Sequence, residues 1–223
     1  MKVSEAINTR LTARAFLDKP VDGALIRQIL ETAKRAPSGG NLQPWHVWVL
    51  GGEDMVRFKL MLKEKVAANP RGEGTEYNIY PPDLKDTYKS RRFKVGEDMY
   101  ASIGVSREDK FGRLMQFARN FEFFGAPCAL FFAIDRQMQQ GQWADLGMFM
   151  QSIMLLAREN GLHTAAQEAW AIWHKTLGEF LNIPPDLMLF CGMAIGHIDP
   201  AAPINTLRSE RAPLQEFATF RGI

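Results

Sequence analysis

The longest uninterrupted apolar stretch of this chain, residues 126–134 (APCALFFAI), is nine residues long and includes Pro127. A membrane-spanning helix needs about 20 consecutive apolar residues, so this stretch has to be buried by the rest of the chain. Two further runs, residues 46–50 (HVWVL) and 187–195 (LMLFCGMAI), are almost wholly apolar. Such runs predict strands buried on both faces of a sheet, and we expect residues 46–50 to form a central strand.

Segments with helical periodicity separate these strands. Asp22 is a good N-cap for the first of them, and Gly161 is a good C-cap for the long apolar segment that ends at residue 160. The predicted helices cover residues 25–33, 53–68, 98–120, 141–160 and 173–181, and the predicted strands cover residues 46–50, 128–134, 163–166 and 187–195. The pattern predicts a mixed α/β, or α+β, fold in which helices outnumber strands.

No repeat or linker divides the chain, so we expect one domain over residues 1–223. Residues 69–97 are predicted to be irregular, and the basic run at 89–94 (KSRRFK) lies within them. An irregular segment of this length is usually functional, and it is a candidate for an insertion that covers a substrate. The tail after Asp199 is polar and broken by prolines, yet it carries Phe217 and Phe220.

Charge and targeting signals exclude several classes of protein. Lys+Arg 27 against Asp+Glu 25 gives a net charge of +2, which argues against nucleic acid as a partner. The first ten residues have no apolar core of the kind that a signal peptide needs, so we expect a cytoplasmic protein with no membrane partner. Cys128 and Cys191 lie in apolar runs, which predicts buried, reduced thiols.

The serines and histidines of the chain are not spaced as in known catalytic or metal-binding motifs. The serines lack a nucleophile-elbow context, and the four histidines lack ligand spacing, so we predict no metal site. The chain has neither a GxGxxG turn nor a P-loop. We therefore predict no catalytic side chain and expect a cofactor to carry any redox chemistry. The count of 15 Phe, 11 Met and 5 Trp favours a flat apolar ligand, a subunit interface, or both.

Two loop segments have the composition of ligand sites. In residues 10–16 (RLTARAF), the alternate positions Arg10, Thr12 and Arg14 point the same way if the segment is extended, which would make a strip of donors. In residues 36–45 (APSGGNLQPW), small residues allow the backbone to approach a flat ligand closely. Arg208 and Arg211, near the C-terminus, are further candidates for binding an anion.

These two segments, with residues 161–170 (GLHTAAQEAW), 191–199 (CGMAIGHID) and 211–213 (RAP), occur in the order found in one family. The chain resembles the FMN-dependent nitroreductase family of flavoproteins from end to end. The stretch QEAW is similar to a subgroup that reduces nitroaromatics and quinones. The resemblance implies a nitroreductase-like sandwich, with a mostly antiparallel central sheet flanked by helices and a C-terminal arm that reaches a partner subunit.

The resemblance also implies a homodimer with tightly but non-covalently bound FMN at its interface. NAD(P)H would reduce the flavin, and a small electron-poor aromatic, such as a nitroaromatic or a quinone, would then reoxidise it in a ping-pong reaction. Aromatic walls of the substrate site are expected from Tyr77 and Tyr80 or from Phe121, Phe123 and Phe124. Three alternatives stay open: another flavin reaction on the same scaffold (dehydrogenation, reductive dehalogenation or flavin cleavage), a non-catalytic flavin-binding protein, and a nucleic-acid binder that uses residues 89–94.

By the same resemblance, the residues expected at the cofactor are Arg10, Leu11, Thr12, Arg14, Pro37, Ser38, Gly39, Asn41, Ala166, Gln167, Glu168, Arg208 and Arg211. Arg10 and Arg211, helped by Arg208, would bind the phosphate. Arg14 and Glu168 would tune the flavin, and residues 37–41 would come from the partner subunit. The backbone of residues 166–168 would run beside the ring, with one amide donating to N5.

Overall fold

A computed structural model describes all residues, 1–223. The helices are α1 (Val3–Thr9), α2 (Gly23–Ala33), α3 (Gly52–Ala68), α4 (Asp86–Ser102), α5 (Lys110–Ala118), α6 (Gln140–Glu159) and α7 (His174–Leu181). The strands are β1 (His46–Gly51), β2 (Cys128–Asp135), β3 (His163–Gln167) and β4 (Leu187–Gly196). The predicted caps are confirmed, because the Asp22 carboxylate accepts from Ala24 N and Gly161 follows α6 with a φ of 74°. No helix is long and apolar enough to span a membrane.

The four strands form one antiparallel sheet in the order β1-β2-β4-β3. One face packs against α2 and α6, and the other packs against α3, α7 and the 3-10 turns at Arg119–Gly125 and Glu168–Trp173. This α+β sandwich, with its antiparallel sheet between helices, confirms the predicted fold class. Cys128 and Cys191 are buried and unpaired, as predicted.

The prediction of a central strand at residues 46–50 is wrong, because β1 lies at the edge of the sheet. His46 is exposed and the Val49 side chain is 48% exposed, whereas Leu50 is buried. An apolar run of five residues does not distinguish an edge strand beside an apolar groove from a strand covered on both faces. The central strands are β2 and β4, both mostly buried, which the two longer runs do predict.

The prediction also fails over residues 69–120. The irregular segment ends earlier than expected, because α4 begins at Asp86 and includes the basic run. The single helix predicted over 98–120 is instead the end of α4, then a break at Gly104 with a φ of 69°, then the short helix α5. No residue of α4 is buried in this chain. An apolar stripe at helical spacing, which would have revealed α4, is therefore missing from its sequence.

Trp170 is the centre of the core on the α3 side of the sheet. Its side chain is fully buried, and its indole stacks on Phe123 with 4.6 Å between ring centroids. The indole lies against β4 where that strand has no side chain: a Cβ at Gly192 would come within 2.4 Å of Trp170 Cδ1 and 2.9 Å of Nε1. This close approach requires glycine at position 192.

We therefore expect Gly192→Ala to lower the free energy of unfolding by about 1–3 kcal/mol, the usual cost of overpacking a filled core. Urea denaturation followed by tryptophan fluorescence measures this. Gly178→Ala in α7 is the matched control, because a Cβ there meets nothing within 4 Å and a helical Gly-to-Ala change is neutral or stabilising by up to about 1 kcal/mol. Equal stability of the two variants would contradict the packing described.

Candidate functional site

The segment 10–16 is extended and crosses the ends of two strands. Thr12 forms a parallel bridge with Thr164 at the start of β3, and Ala13 N donates to Thr164 O at 3.0 Å. Phe16 forms an antiparallel bridge with Ile198, just beyond β4. Three of the segments identified in the sequence, residues 10–16, 161–170 and 191–199, are thus brought together by backbone hydrogen bonds.

Asn205, which the sequence analysis missed, fixes this segment. Its Oδ1 accepts from Arg14 N at 2.8 Å, and its Nδ2 donates to Ala15 O at 2.9 Å and to Asp199 O at 2.8 Å. The residue is buried, so these bonds are protected from water. A lone asparagine in a polar tail gives no sequence signal, because its role depends on contact with a segment 190 residues away.

Arg14 carries a charge that nothing in the chain neutralises. The structure has seven salt bridges, and Arg14 takes part in none of them. Its one side-chain hydrogen bond is a long one, from Nη1 to Thr12 O at 3.4 Å. Burial lowers the pKa of its guanidinium. A partly desolvated cation without a counter-ion is costly, and this position is therefore suited to an anionic or electron-rich ligand.

Arg10 and Arg211 form a second concentration of positive charge. Burial, and after it the charge of Arg211, lowers the pKa of Arg10. Arg211 Nη1 donates to Ser209 Oγ at 2.7 Å and to Ser209 O at 3.0 Å, and neither arginine has a carboxylate partner. Two guanidinium groups held near each other without an acid are typical of a phosphate site.

Arg208 has other contacts than that pair. Its Nη1 donates to the backbone oxygens of Asn205 and Leu207, and it lines a cavity of about 590 Å³ together with Leu11, Arg158 and His163. Arg10 and Arg211 do not line this cavity. Burial, then the charges of Arg158 and Arg208, lowers the pKa of His163 to about 4, so His163 is neutral near pH 7.

The turn at residues 36–45 is held against α6. Gly39 N donates to Asp145 Oδ2 at 3.1 Å, and Ser38 Oγ accepts from Gln43 N at 3.0 Å. Gly40, Asn41 and Gln43 have φ values between 51° and 59°. The side-chain hydrogen bonds of this turn go to α6 and to the turn itself, and none reaches the segment 10–16. The exposed turn is therefore free to contact a ligand.

The strand β3 forms an open edge of the sheet next to Arg14. Because Thr164 O faces outward to Ala13 N, the alternation of an antiparallel strand also turns the Ala166 amide outward and the Gln167 amide toward β4. Ala166 is exposed, whereas the Gln167 side chain is buried. Glu168 is half-buried, and burial raises the pKa of its carboxyl.

The aromatic residues expected as substrate walls separate into two groups. Phe121, Phe123 and Phe124 are buried in the core, so the expectation that they line a substrate site is wrong in this structure. Tyr80 is 48% exposed, and the guanidinium of Arg92 lies 3.9 Å from its ring centroid. Tyr77 is half-buried, and its hydroxyl donates to Phe190 O.

A cavity of about 900 Å³ lies away from these residues. It follows the outer edge of β1 between α2 and α3, with Ile26, Val49, Val56 and Pro127 among the apolar residues that line it. Since it contains none of the candidate arginines, we do not place the cofactor there. No group of three or more His, Cys, Asp or Glu side chains is arranged to hold a metal ion.

The clamp on Arg14 yields a prediction. Asn205→Ala leaves Arg14 N and Asp199 O without hydrogen-bond partners, so the free energy of unfolding should fall by about 1–3 kcal/mol. Asn205→Asp keeps the acceptor but removes the donor, and should also destabilise. Thr206→Ala, next in the chain and exposed, is the control for urea denaturation. Wild-type stability of Asn205→Ala would show that the clamp does not hold the segment.

Comparison with known proteins gives one consistent result. The sequence model of the Nitroreductase family matches residues 7–197. The chain is 36% identical to a chloronitrobenzene nitroreductase of Comamonas testosteroni, over 98% of this chain and 96% of that protein. It is 36% identical to a 4-nitrobenzoate reductase of Pseudomonas putida, over 97% and 94% of the two chains.

The fold gives the same answer. The crystal structure of the FMN and NADPH-dependent nitroreductase NfnB from Sphigopyxis sp. strain HMH superposes with a TM-score of 0.96, at 45% identity and with 100% of both chains covered. The family model spans most of the chain, from the end of α1 through β4, and includes three of the five segments that carry the resemblance and most of a fourth. The chain belongs to the nitroreductase family.

Proposed function

We propose that this protein is an FMN-dependent oxidoreductase that passes reducing equivalents from NAD(P)H to electron-poor aromatics, namely nitroaromatics and quinones, by a ping-pong mechanism. The single observation that carries the proposal is the unneutralised guanidinium of Arg14 beside the open edge of β3. The two relatives named for chloronitrobenzene and 4-nitrobenzoate support the acceptor class, and NfnB supports FMN and NADPH.

The residues present fit FMN on the chemistry of their donors. Arg10 and Arg211 have two fixed positive charges without an acid, and they would hold the phosphate. Arg208 would contribute less, because it lies in the neighbouring cavity and its guanidinium is already bonded to backbone oxygens. Leu11 lines that same cavity. Thr12 is two residues after Arg10 in the extended segment, so its side chain points the same way, and it would hydrogen-bond to the polar edge of the flavin.

Arg14 would lie where negative charge accumulates on reduction. When bound, FMN would supply hydride acceptance from NAD(P)H and its delivery to the aromatic acceptor. The positive charge of Arg14 favours the reduced, anionic cofactor electrostatically and costs no reorganisation, because the Asn205 clamp already holds its backbone. The outward amide of Ala166, with Gln167 and Glu168 beside it, would donate to the ring. No side chain needs to act as a general acid or base in the hydride step.

The second part of the ring environment would come from another copy of the chain. Pro37, Ser38, Gly39 and Asn41 form an exposed turn that no side-chain hydrogen bond ties to the segment 10–16. We therefore propose that this turn packs on the FMN of the partner subunit in a homodimer. Small residues at Gly39 and Gly40 let the backbone approach a flat ligand.

The parts of the chain that lack neighbours support the homodimer. None of the 17 residues of α4 is buried, and the tail carries Phe217 and Phe220 at 71% and 59% exposure. The tail is tied to α4 by ion pairs, Arg91 with Glu216 and Lys94 with Glu210. In its own chain, the tail therefore does not fill the cavity along the outer edge of β1, called the groove beside β1. We propose that the C-terminal arm of each subunit covers this groove on the other, since an open sheet edge needs covering.

The proposal also covers the domain organisation, the cellular location and the role of residues 69–97. We propose that residues 1–223 form a single cytoplasmic domain and that residues 69–97 cover the substrate. Glu73 supports a cover that is anchored at one end, because its carboxylate accepts from Lys175 N and Thr176 N, each at 3.0 Å, at the start of α7.

The decisive test is reduction and reoxidation of the FMN-loaded protein in a stopped-flow instrument. NADH or NADPH should bleach the flavin absorbance, and 4-nitrobenzoate or a quinone should restore it. Bound FMN that NAD(P)H does not reduce would favour a non-catalytic flavoprotein. Reduction without reoxidation by either aromatic would favour another flavin reaction, and failure to take up FMN would refute the proposal.

Arg14 provides a direct prediction. Arg14→Ala should weaken FMN binding roughly 10- to 100-fold, the equivalent of a charge-assisted hydrogen bond of about 1.5–3 kcal/mol. Arg14→Lys, which keeps the charge, should lose less. Fluorescence quenching of FMN on titration measures both. Arg57→Ala is the control, because Arg57 is exposed and paired with Asp54. Unchanged affinity in Arg14→Ala would mean that the FMN lies elsewhere.

The arm provides a second prediction. Removal of residues 214–223 should shift the protein from twice the chain mass of 25.2 kDa toward a single chain, as light scattering after size-exclusion chromatography would show. It should also lower FMN retention, because the partner's turn is lost with the partner. Removal of residues 222–223 alone is the control. A wild-type monomer, or a fully dimeric truncated protein, would contradict the role given to the arm.

A further inference from the structure

A buried glutamine lies at the end of β3, between the two residues whose backbone borders the proposed flavin site. The Gln167 side chain is 3% exposed. Its Nε2 donates to Asn120 O at 2.8 Å and to Asn120 Oδ1 at 3.2 Å, and its Oε1 accepts from Trp170 Nε1 at 3.3 Å. Both ends of the amide are thus occupied inside the protein, so the side chain has no free group for a ligand.

The backbone at this point has little other support. β3 pairs with β4 on one side only, and on its open side the backbone bond between Ala13 and Thr164 lies at the start of the strand. Directly after Gln167 the chain turns into the 3-10 segment Glu168–Trp173. The end of an edge strand with these few ties would be free to shift or fray.

The two groups that hold Gln167 are themselves rigid. Trp170 is fully buried and is fixed between Phe123 and the bare backbone of Gly192. Asn120 belongs to the turn Arg119–Gly125, and its Nδ2 donates to Phe117 O at 2.8 Å. Gln167 therefore joins the end of β3 to Trp170 and to the turn that contains Asn120.

We propose that Gln167 is a positioning residue, which holds the peptide groups of residues 166–168 at the open edge so that the outward amides form preorganised donors for the flavin ring. This role rests on the proposed function. Donors that are fixed before the ligand arrives cost no reorganisation, and small displacements of them weaken their effect. An apolar residue of the same size would fill the space but leave Trp170 Nε1 and Asn120 O without partners.

The test compares Gln167→Leu with wild type on the purified full-length protein, as isolated and after saturation with FMN. Hydrogen–deuterium exchange of peptides covering residues 163–170 reports on the backbone. The visible spectrum of bound FMN and its midpoint potential report on the donors. Ser152→Ala is the control, because it removes a side-chain hydrogen bond to Met148 O, at 2.9 Å, from α6, a different part of the chain. Asn120→Ala, which keeps the main-chain acceptor, is a milder second variant if Gln167→Leu does not fold.

We expect exchange over 163–170 to become at least tenfold faster in Gln167→Leu, with β2 unchanged, and to rise less in Asn120→Ala. The absorption maximum and the midpoint potential of bound FMN should shift in the same order, while Ser152→Ala leaves both at wild-type values. Unchanged exchange overturns the inference, and so does faster exchange with an unchanged spectrum and potential. Wild-type protein that takes up no FMN refutes the proposed function and this role with it, whereas normal uptake with unchanged exchange refutes this role alone.

Discussion

The packing of Trp170 on the bare backbone of Gly192 is the constraint on which the rest of the structure depends. The indole fills the space where a side chain of β4 would stand, and Phe58, Phe121, Phe123 and Phe131 surround it. Through its Nε1 it also holds Gln167, and through Gln167 the end of β3. A central aromatic contact thus determines where the backbone of the proposed flavin site lies.

The candidate site differs from the core in how well its polar and charged groups are paired. In the core the aromatic residues are buried, and few buried side-chain polar atoms lack a hydrogen-bond partner. In the site, Arg10 and Arg14 are partly desolvated, and neither they nor the exposed Arg211 have an acidic partner. Fixed, uncompensated charge of this kind is costly to fold and is useful only when a ligand provides the opposite charge.

Much of the fold could be predicted from the sequence where burial leaves a pattern. The runs that form β2 and β4 and the long helix α6 were recognisable, because apolar residues repeat at the spacing of each element. β1 was placed wrongly, because five apolar residues do not tell an edge from a centre. α4 was missed, because a helix without a buried residue has no apolar stripe.

The candidate site divides in the same way. Arg10 and Arg14 belong to one short motif, residues 10–16, in which they alternate with other residues, so the sequence alone reveals them. Asn205 and Asn120 act on residues far away in the chain, and no local pattern marks them.

The unneutralised charge of Arg14 also links folding to ligand supply. A ligand that binds only the folded chain stabilises it by RT ln(1 + [L]/Kd), so an anionic ligand at 100 times its Kd adds about 2.7 kcal/mol. This stabilisation lowers the unfolded fraction roughly a hundredfold. It is also a large part of the total stability, because folded proteins are stable by only about 5–15 kcal/mol. The amount of this protein that escapes proteolysis would then follow the concentration of its ligand in the cell, with no dedicated regulator involved.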